Sequence, residues 1–517
     1  MSDSIYANYP PGLDPAQKEF LVKTIKDWAT QNGLMVRPHP SFVSKESDPY
    51  GVLATNAPVT LFPSLFPRAC FEEAKALQTV YNKLYAAITC NEEWLGKIME
   101  DLIDVDDFIS GLWKVHISVK KGGGYVQNLS LGLYRSDYMA HAPTNTDAPS
   151  LKQVEFNTIS SSFGGLSSLV RKLHSELLTS PPGYPISYPS HPLFESNVPP
   201  ENTAVETLSA GLAAAHSAYG PSKSNPALPT CILFVVQENE RNIFDQLALS
   251  RQLTTVHKIP VFRLLSTEIL DHTSIAASNA SRPLIYRPPH SPDTQFEVTT
   301  VYLRCFYAPT DYTSERDWEA RTQLERSAAI KCPTVLNQLA GSKIIQQVLA
   351  ETAGPDHLAN FLADTDPATI ARLRETFAPQ YDLSSSGRGR ELALNPETAL
   401  NHVLKPQREG GGNNVYKSAI PDFLRSIPES EWKRWILMEL IRPPAEAKNV
   451  ALRSDGEVLS GKVIGELGIY GTILWDQSNG KVLRNEQGGW LMRTKAKDVN
   501  EGGVATGFSS LDSILLF

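Results

Sequence analysis

The stretch Lys405-Pro406-Gln407-Arg408-Glu409-Gly410-Gly411-Gly412-Asn413-Asn414 puts two cations, a carboxylate, three successive glycines and three side-chain amides close together. Consecutive glycines give up side-chain packing and cost entropy on ordering, so they belong where backbone must approach a ligand closely or move over it. Their N–H groups can form a concave anion site, Lys405 and Arg408 add positive charge, and Glu409 is a hard oxygen donor suited to Mg²⁺ beside phosphates. The combination fits a triphosphate with its metal. A solvated β-turn with incidental charges is the competing reading of the ten residues taken alone.

The stretch matches neither G-x-x-x-x-G-K-[ST] nor G-x-G-x-x-G, so a nucleotide here is bound by another architecture. The sequence has no H-E-x-x-H and no G-x-S-x-G, and its eleven His are dispersed. Phosphoryl transfer needs no protein nucleophile: positioning and charge neutralisation by Lys, Arg, Mg²⁺ and backbone amides are enough. A second group of hard oxygens lies in "LKQVEFNTIS", where period-two alternation turns Val154 and Phe156 one way and Glu155 and Asn157 the other.

These residues need a large scaffold. A chain of 517 residues, 41% hydrophobic and 20% charged, predicts a globular protein of two or more packed units. The net charge of -8 offers no global basic field for nucleic acid or anionic lipid. Five scattered Cys without a C-x-x-C pair indicate neither a disulfide framework nor a zinc site, and fit a reducing compartment. The first residues have no basic and apolar leader pattern, and no apolar run is long enough to span a bilayer, so the expectation is a soluble cytoplasmic protein.

"LDPAQKEFLVKTIKDWATQNG" predicts an amphipathic helix capped by Asp14, with Pro15 in its first turn and Gly33 after its end. Helical patterns follow at about 69–88 and 92–113, then a strand through Leu129, Leu131 and Leu133, with glycines 122–124 read as a hairpin turn. Residues 178–203, rich in Pro and Ser, read as an ordered linker or boundary. "CILFVV", a polar turn, the helical "IFDQLALSRQL" and strands near 259–264 and 298–304 form an α/β segment, where ligands collect at strand C-terminal ends. Helices fill 316–376 and strands dominate beyond 400.

"KPQREGGGNN", "QVEFNTISSSFGGL", "QENERNIFDQ", "KVIGELGIYG" and "LMRTKA…EGGVATG" together resemble the eukaryotic glutathione synthetase family, in the family's order and from about residue 10 onward. The resemblance implies an α/β (α+β) ATP-grasp fold with an inserted α/β substrate-binding domain and a glycine-rich lid. The implied divisions are 1–220 and 336–517 for the two parts of the ATP-grasp unit and 221–335 for the insert, with the lid at about 400–435 and a closing loop at about 495–507. It implies a homodimer that ligates γ-glutamylcysteine and glycine with ATP and Mg²⁺ through an acyl phosphate. A homologous ligase using β-alanine or serine, and an inactive nucleotide-binding regulator, are the alternatives.

By motif, the resemblance makes Glu155, Asn157 and Glu409 metal ligands, and Arg493, Lys343 and Lys405 catalytic cations. Nucleotide contacts would come from Met139, Glu155, Lys343, the run Lys405, Pro406, Gln407, Arg408, Glu409, Gly410, Gly411, Gly412, Asn413 and Asn414, and Tyr416. Met438, Glu439, Leu440 and Ile441 would bracket adenine, with Glu466, Lys495 and Glu501 nearby. The family commonly has Lys where this chain has Leu440. Substrate contacts would come from Arg135, Ile159, Ser160, Ser161, Ser162, Glu240, Arg241, Asn242, Gln246, Arg304, Cys305, Phe306, Tyr307, Arg493, Val504 and Ala505. Cys305 and Phe306 depart from the small or polar residues usual between that Arg and Tyr.

Overall fold

The computed structural model describes residues 5–143, 148–180, 188–276, 279–351, 355–383, 387–409, 412–499, 504 and 509–517. Its first helix, Pro15–Asn32, begins as the sequence predicts: Asp14 accepts from Gln17 N (2.8 Å), Gln17 Oε1 accepts from Asp14 N (3.0 Å), and Gly33 closes the helix at φ 74°. The helix expected over 92–113 is two, Glu92–Ile103 and Asp107–Lys121. Asp106 divides them by accepting from Phe108 N and Ile109 N, both at 3.1 Å, a local cap that competes with helix continuation. Glycines 122–124 are no hairpin: they end the second of these helices, with Gly123 and Gly124 at positive φ.

A mixed sheet of thirteen strands, counted among the described residues, organises the molecule. At its centre Leu129–His141, Val458–Asp476 and Val482–Ala496 run antiparallel. Alternation along them separates two cores. Tyr134, Tyr138, Leu467, Ile469, Trp475, Trp490 and Met492 pack with helix Arg68–Cys90 on one face. Leu131, Leu133, Tyr470, Leu474 and Leu491 pack with helices Gly164–Thr179 and Ala204–Tyr219 on the other. Helices thus cover both faces of the central sheet.

The segment expected as a separate α/β unit contributes the parallel strands Thr230–Val236, Val261–Leu265 and Phe296–Leu303. Their sheet is continuous with the central one through the short strand Ile330–Cys332, which pairs with Phe296–Leu303 on one side and, at Lys331 and Ser130, with Leu129–His141 on the other. Within 178–203 there is a short helix, Pro192–Ser196, while 181–187 lie outside the described residues.

A smaller four-stranded sheet, ordered Gln380–Tyr381, Trp435–Glu439, His402–Pro406 and Val415–Tyr416, carries the opening motif. Its own core of Leu404, Leu437, Ile420, Leu424 and Trp432 makes it a compact flap above the large sheet.

Candidate active site

Period two determines which side chains meet. Arg135, Asp137 and Met139, Glu466, and Arg493 and Lys495 share the parity of Leu133, Tyr470 and Leu491, and therefore one face of the central sheet. Between that face and the flap lies a cleft of about 880 Å³. Arg135, Met139, Glu155, Asn157, Glu466, Arg493 and Lys495 line its floor. Lys405, Glu409, Asn414 and Tyr416 line its flap side, as do Met438, Glu439, Leu440 and Ile441. Ile159, Ser160, Ser161 and Ser162 join Glu240, Asn242, Arg304, Tyr307 and Val504 at its other end.

The strand Ser150–Asn157 departs from strict alternation. Its pairing with Leu129–His141 shifts register between Asp137 and Tyr138, so that Glu155 opposes Asp137, Gln153 opposes Tyr138, and Val154 is the extra residue of a β-bulge. Val154 therefore lines the cleft together with Glu155 rather than turning away with Phe156. The bulged carbonyl is open, and Lys405 Nζ donates to it from the flap at 2.8 Å.

Lys343, at the start of helix Lys343–Ala350, reaches both carboxylates: its Nζ lies 3.0 Å from Glu155 Oε2 and 3.3 Å from Glu409 Oε1. Burial alone would raise the Glu155 carboxyl, but Lys343 and then Lys405 hold it well below the usual carboxylate range. Burial pushes Glu409 up to about 7, Glu155 adding to that and Lys343 opposing it. Lys343 is held above its ordinary value because the two carboxylates outweigh burial, whereas burial depresses Lys405. The two carboxylates are thus shifted in opposite directions around a shared ammonium.

The oxygen donors there suit a hard divalent cation that keeps several waters. Glu155 and Glu409 converge on one centre. Asn157 commits its Nδ2 to Arg135 O and Asp137 Oδ2, both at 3.1 Å, and this leaves its carbonyl oxygen as the uncommitted end. Among the described residues no group of three or more Asp, Glu, His or Cys side chains gathers, so a cation here would complete its shell with the Asn157 amide, water and phosphate.

The opposite end is built for a zwitterion. Arg304 Nη1 is 3.2 Å from Asp245 Oδ2, and Asp245 also accepts from Phe163 N and Gly165 N, which holds the segment before helix Gly164–Thr179. Glu240 is oriented by Asn242 N (2.7 Å) and Gln246 Nε2 (2.8 Å). Asn242 is 4% exposed, and neither polar atom of its side-chain amide has a hydrogen-bond partner among the described residues. A buried amide normally has a hydrogen-bond partner, so a polar group entering the cleft could satisfy this one. Ser160 and Phe306, both non-glycine, adopt positive φ in the two segments that frame this end.

Other expected contacts lie elsewhere. Cys305 and Phe306 are fully buried in the core of the α/β segment: strand Phe296–Leu303 has ended before them, so strict alternation no longer applies, and Phe306 takes φ 68°. Gln246 stands behind Glu240 and reaches Arg263. Arg241 donates to Arg37 O and lines a neighbouring cleft of about 280 Å³. Gln407 is buried and accepts from Ile344 N, capping the Lys343 helix, while Arg408 pairs with Asp106. Pro406, Gly412 and Asn413 do not line the main cleft. Gly410, Gly411, Glu501 and Ala505 lie outside the described residues.

Two contributors escaped the sequence reading. Gln237 lines the cleft and accepts from Tyr307 OH at 3.3 Å. Asp137, fully buried, bonds Arg135, Asn157 and Arg493. Its position two residues after Arg135 on a period-two strand was the available signal.

A family model described as "Eukaryotic glutathione synthase, ATP binding domain" matches residues 15–516. The chain is 38% identical to the glutathione synthetase large chain of Schizosaccharomyces pombe, covering 97% of this chain and 98% of that one. It is 36% identical to glutathione synthetase of Homo sapiens, covering 97% of each, and 36% identical to that of Xenopus laevis, covering 94% of each. In structure it resembles a glutathione synthetase like-effector from Globodera pallida in apo form, with TM-score 0.73, 22% identity and 98% coverage of both chains. The mixed α/β architecture is thus of the ATP-grasp type, and with its sequence matched end to end the chain belongs to the eukaryotic glutathione synthetase family.

Proposed function

We propose that this protein joins γ-glutamylcysteine to glycine, cleaving ATP to ADP and phosphate. The observation that carries the reading is that Glu155 and Glu409, bridged from behind by Lys343, line with Lys405 a cleft whose other walls offer Arg135, Arg304 and Arg493. The apolar slot between Met139 and Met438–Ile441 takes the base, and the two lysines take the phosphates. Glu240, Asn242, Arg304 and Tyr307 take the amino and carboxylate groups of the dipeptide.

The dipeptide's terminal carboxylate attacks the γ-phosphorus, ADP leaves, and the glycine amine displaces phosphate from the acyl phosphate through a tetrahedral intermediate. Arg493 stabilises the oxyanion, since a guanidinium already aligned by carboxylates needs no reorganisation. Glu155, Asn157 and Glu409 would hold Mg²⁺, which would supply neutralisation of phosphate charge. The flap excludes the water that would hydrolyse the acyl phosphate.

We assign the active form to a homodimer in the cytoplasm. Among the described residues no helix is long and apolar enough to cross a membrane. An ADP-release assay with purified protein, omitting ATP, Mg²⁺, γ-glutamylcysteine and glycine in turn, tests the reaction. Dependence on all four is expected. A preference for β-alanine or serine over glycine would overturn the acceptor, and ATP binding without dipeptide-dependent phosphate release would overturn the activity.

A further inference from the structure

Asp137 does not line the cleft, yet three side chains that do are bonded to it. Its Oδ1 accepts from Arg135 Nε at 2.6 Å, and its Oδ2 accepts from Arg135 Nη2 at 2.8 Å, Arg493 Nη2 at 2.9 Å and Asn157 Nδ2 at 3.1 Å. The donors come from three strands, the paired Leu129–His141 and Ser150–Asn157 and, across the intervening Val458–Asp476, Val482–Ala496, so the carboxylate is the point at which their side-chain directions are reconciled. Two guanidinium groups this close repel one another unless an anion lies between them. Asp137 also determines which end of the Asn157 amide faces the cleft, because an acceptor-only group behind the amide selects its NH₂.

A second observation comes from the neighbouring strand. Gly468 pairs directly with Asp137, and a Cβ there would stand 2.6 Å from Arg135 Cδ and 2.7 Å from Asp137 Oδ1. The space that any other residue would occupy is filled by the Arg135–Asp137 pair, so glycine at 468 is what lets the pair lie flat on the sheet.

From these contacts we infer that Asp137 is a positioning residue for the ligation: it aims Arg135 and Arg493 at the substrate carboxylate and the developing oxyanion, and presents the Asn157 carbonyl to the metal side. This inference rests on the function proposed above. It makes a distinction between parameters, because Asp137 supports the reacting end of the cleft and touches none of the residues that line the base slot.

The test is Asp137→Asn, which keeps shape but replaces one acceptor oxygen with an NH₂ facing three donors. In the ADP-release assay kcat should fall about 10²-fold and KM for γ-glutamylcysteine should rise about tenfold, while KM for ATP stays within about threefold. Calorimetric titration of γ-glutamylcysteine into the protein without nucleotide should show the same weakening of binding. A merely structural role would lower the unfolding temperature and the active fraction without separating the two KM values. Gly468→Ala, which must displace the pair from the other side, should reproduce the pattern and decides the matter if Asp137→Asn does not fold. Folded variants with the parent's kcat and dipeptide KM would overturn the inference while leaving the proposed reaction intact. A parent protein without dipeptide-dependent ADP release would overturn the reaction itself and this role with it.

Discussion

Arg408 Nη1 lies 2.7 Å from Asp106 Oδ2, so the root of the glycine-rich loop is tied to the N-terminus of helix Asp107–Lys121, on a different part of the chain. Asp106 is almost wholly buried, and the same carboxylate caps that helix. A cation engaged in this way anchors the loop instead of meeting phosphate. Arg408→Ala should cost about 1 kcal/mol of stability, since one side of the pair faces solvent. KM for ATP should change by less than about threefold. A tenfold rise in that KM would return the guanidinium to the phosphates.

Lys343 compensates two carboxylates at once. Lys343→Met leaves Glu155 and Glu409 facing each other without their cation, and turnover should fall at least about 10²-fold. Unfolding in urea should show a loss on the order of 2 kcal/mol, below the value for a fully buried pair because both carboxylates keep some access to water. Turnover within twofold of the parent would remove Lys343 from the chemistry.

Arg493 is held by Asp137 and Glu466, both of which raise its affinity for the proton against the effect of burial. Its charge is permanent and its direction is constrained. Arg493→Ala should lower kcat by on the order of 10² or more, with a smaller change in KM for ATP, if it stabilises charge that develops in the transition state. A near-normal rate would exclude it from the mechanism.

Gly341 precedes Ser342 and Lys343, and a Cβ there would meet Thr158 Oγ1 at 2.2 Å. Thr158 follows Asn157, so this glycine lets the Lys343 helix lie against the strand end that carries the Asn157 amide. Gly341→Ala should destabilise by about 1–3 kcal/mol through overpacking, read as a lowered unfolding temperature. Activity per folded molecule should fall as well; an unchanged unfolding temperature would mean that the two segments separate freely.

His174 is fully buried, with Ser513 Oγ and Thr60 O on its two ring nitrogens. Burial lowers it from 6.5 to about 4, and only the Thr60 carbonyl opposes that shift. A group depressed on folding contributes stability above its unfolded value that disappears as pH falls through the folded one. The contribution is therefore full above about pH 6.5 and lost toward pH 4. Nearby Asp512, raised by burial to about 6, acts in the opposite sense: its stabilising contribution is complete below its ordinary 3.8 and lost as pH rises through about 6. Subtracting a His174→Gln variant isolates the histidine. The parent's excess stability over that variant should shrink by about 2 kcal/mol between pH 7.5 and 5, measured by urea unfolding. No change in the difference would mean that His174 is protonated in the folded protein.

What the sequence determined by itself was local. The Asp14 capping box, the Gly33 terminus, the shared side of Glu155 and Asn157, and the glycine-rich run beside Lys405 all follow from interactions within a few residues, where spacing alone specifies geometry. The family motifs then indicated which short segments to bring together. Tertiary structure decided how they meet. It placed Lys343 between Glu155 and Glu409, gave Arg408 to Asp106, turned Cys305 and Phe306 into a core, and let a bulge bring Val154 to the cleft beside Glu155. Asp137 belongs to the same class, because its partners lie on three strands, one of them a strand removed, whose alignment is set by sheet register. A carboxylate's partners are chosen by long-range pairing and by the exclusion of water from the space between strands, and neither leaves a local signature in the order of residues.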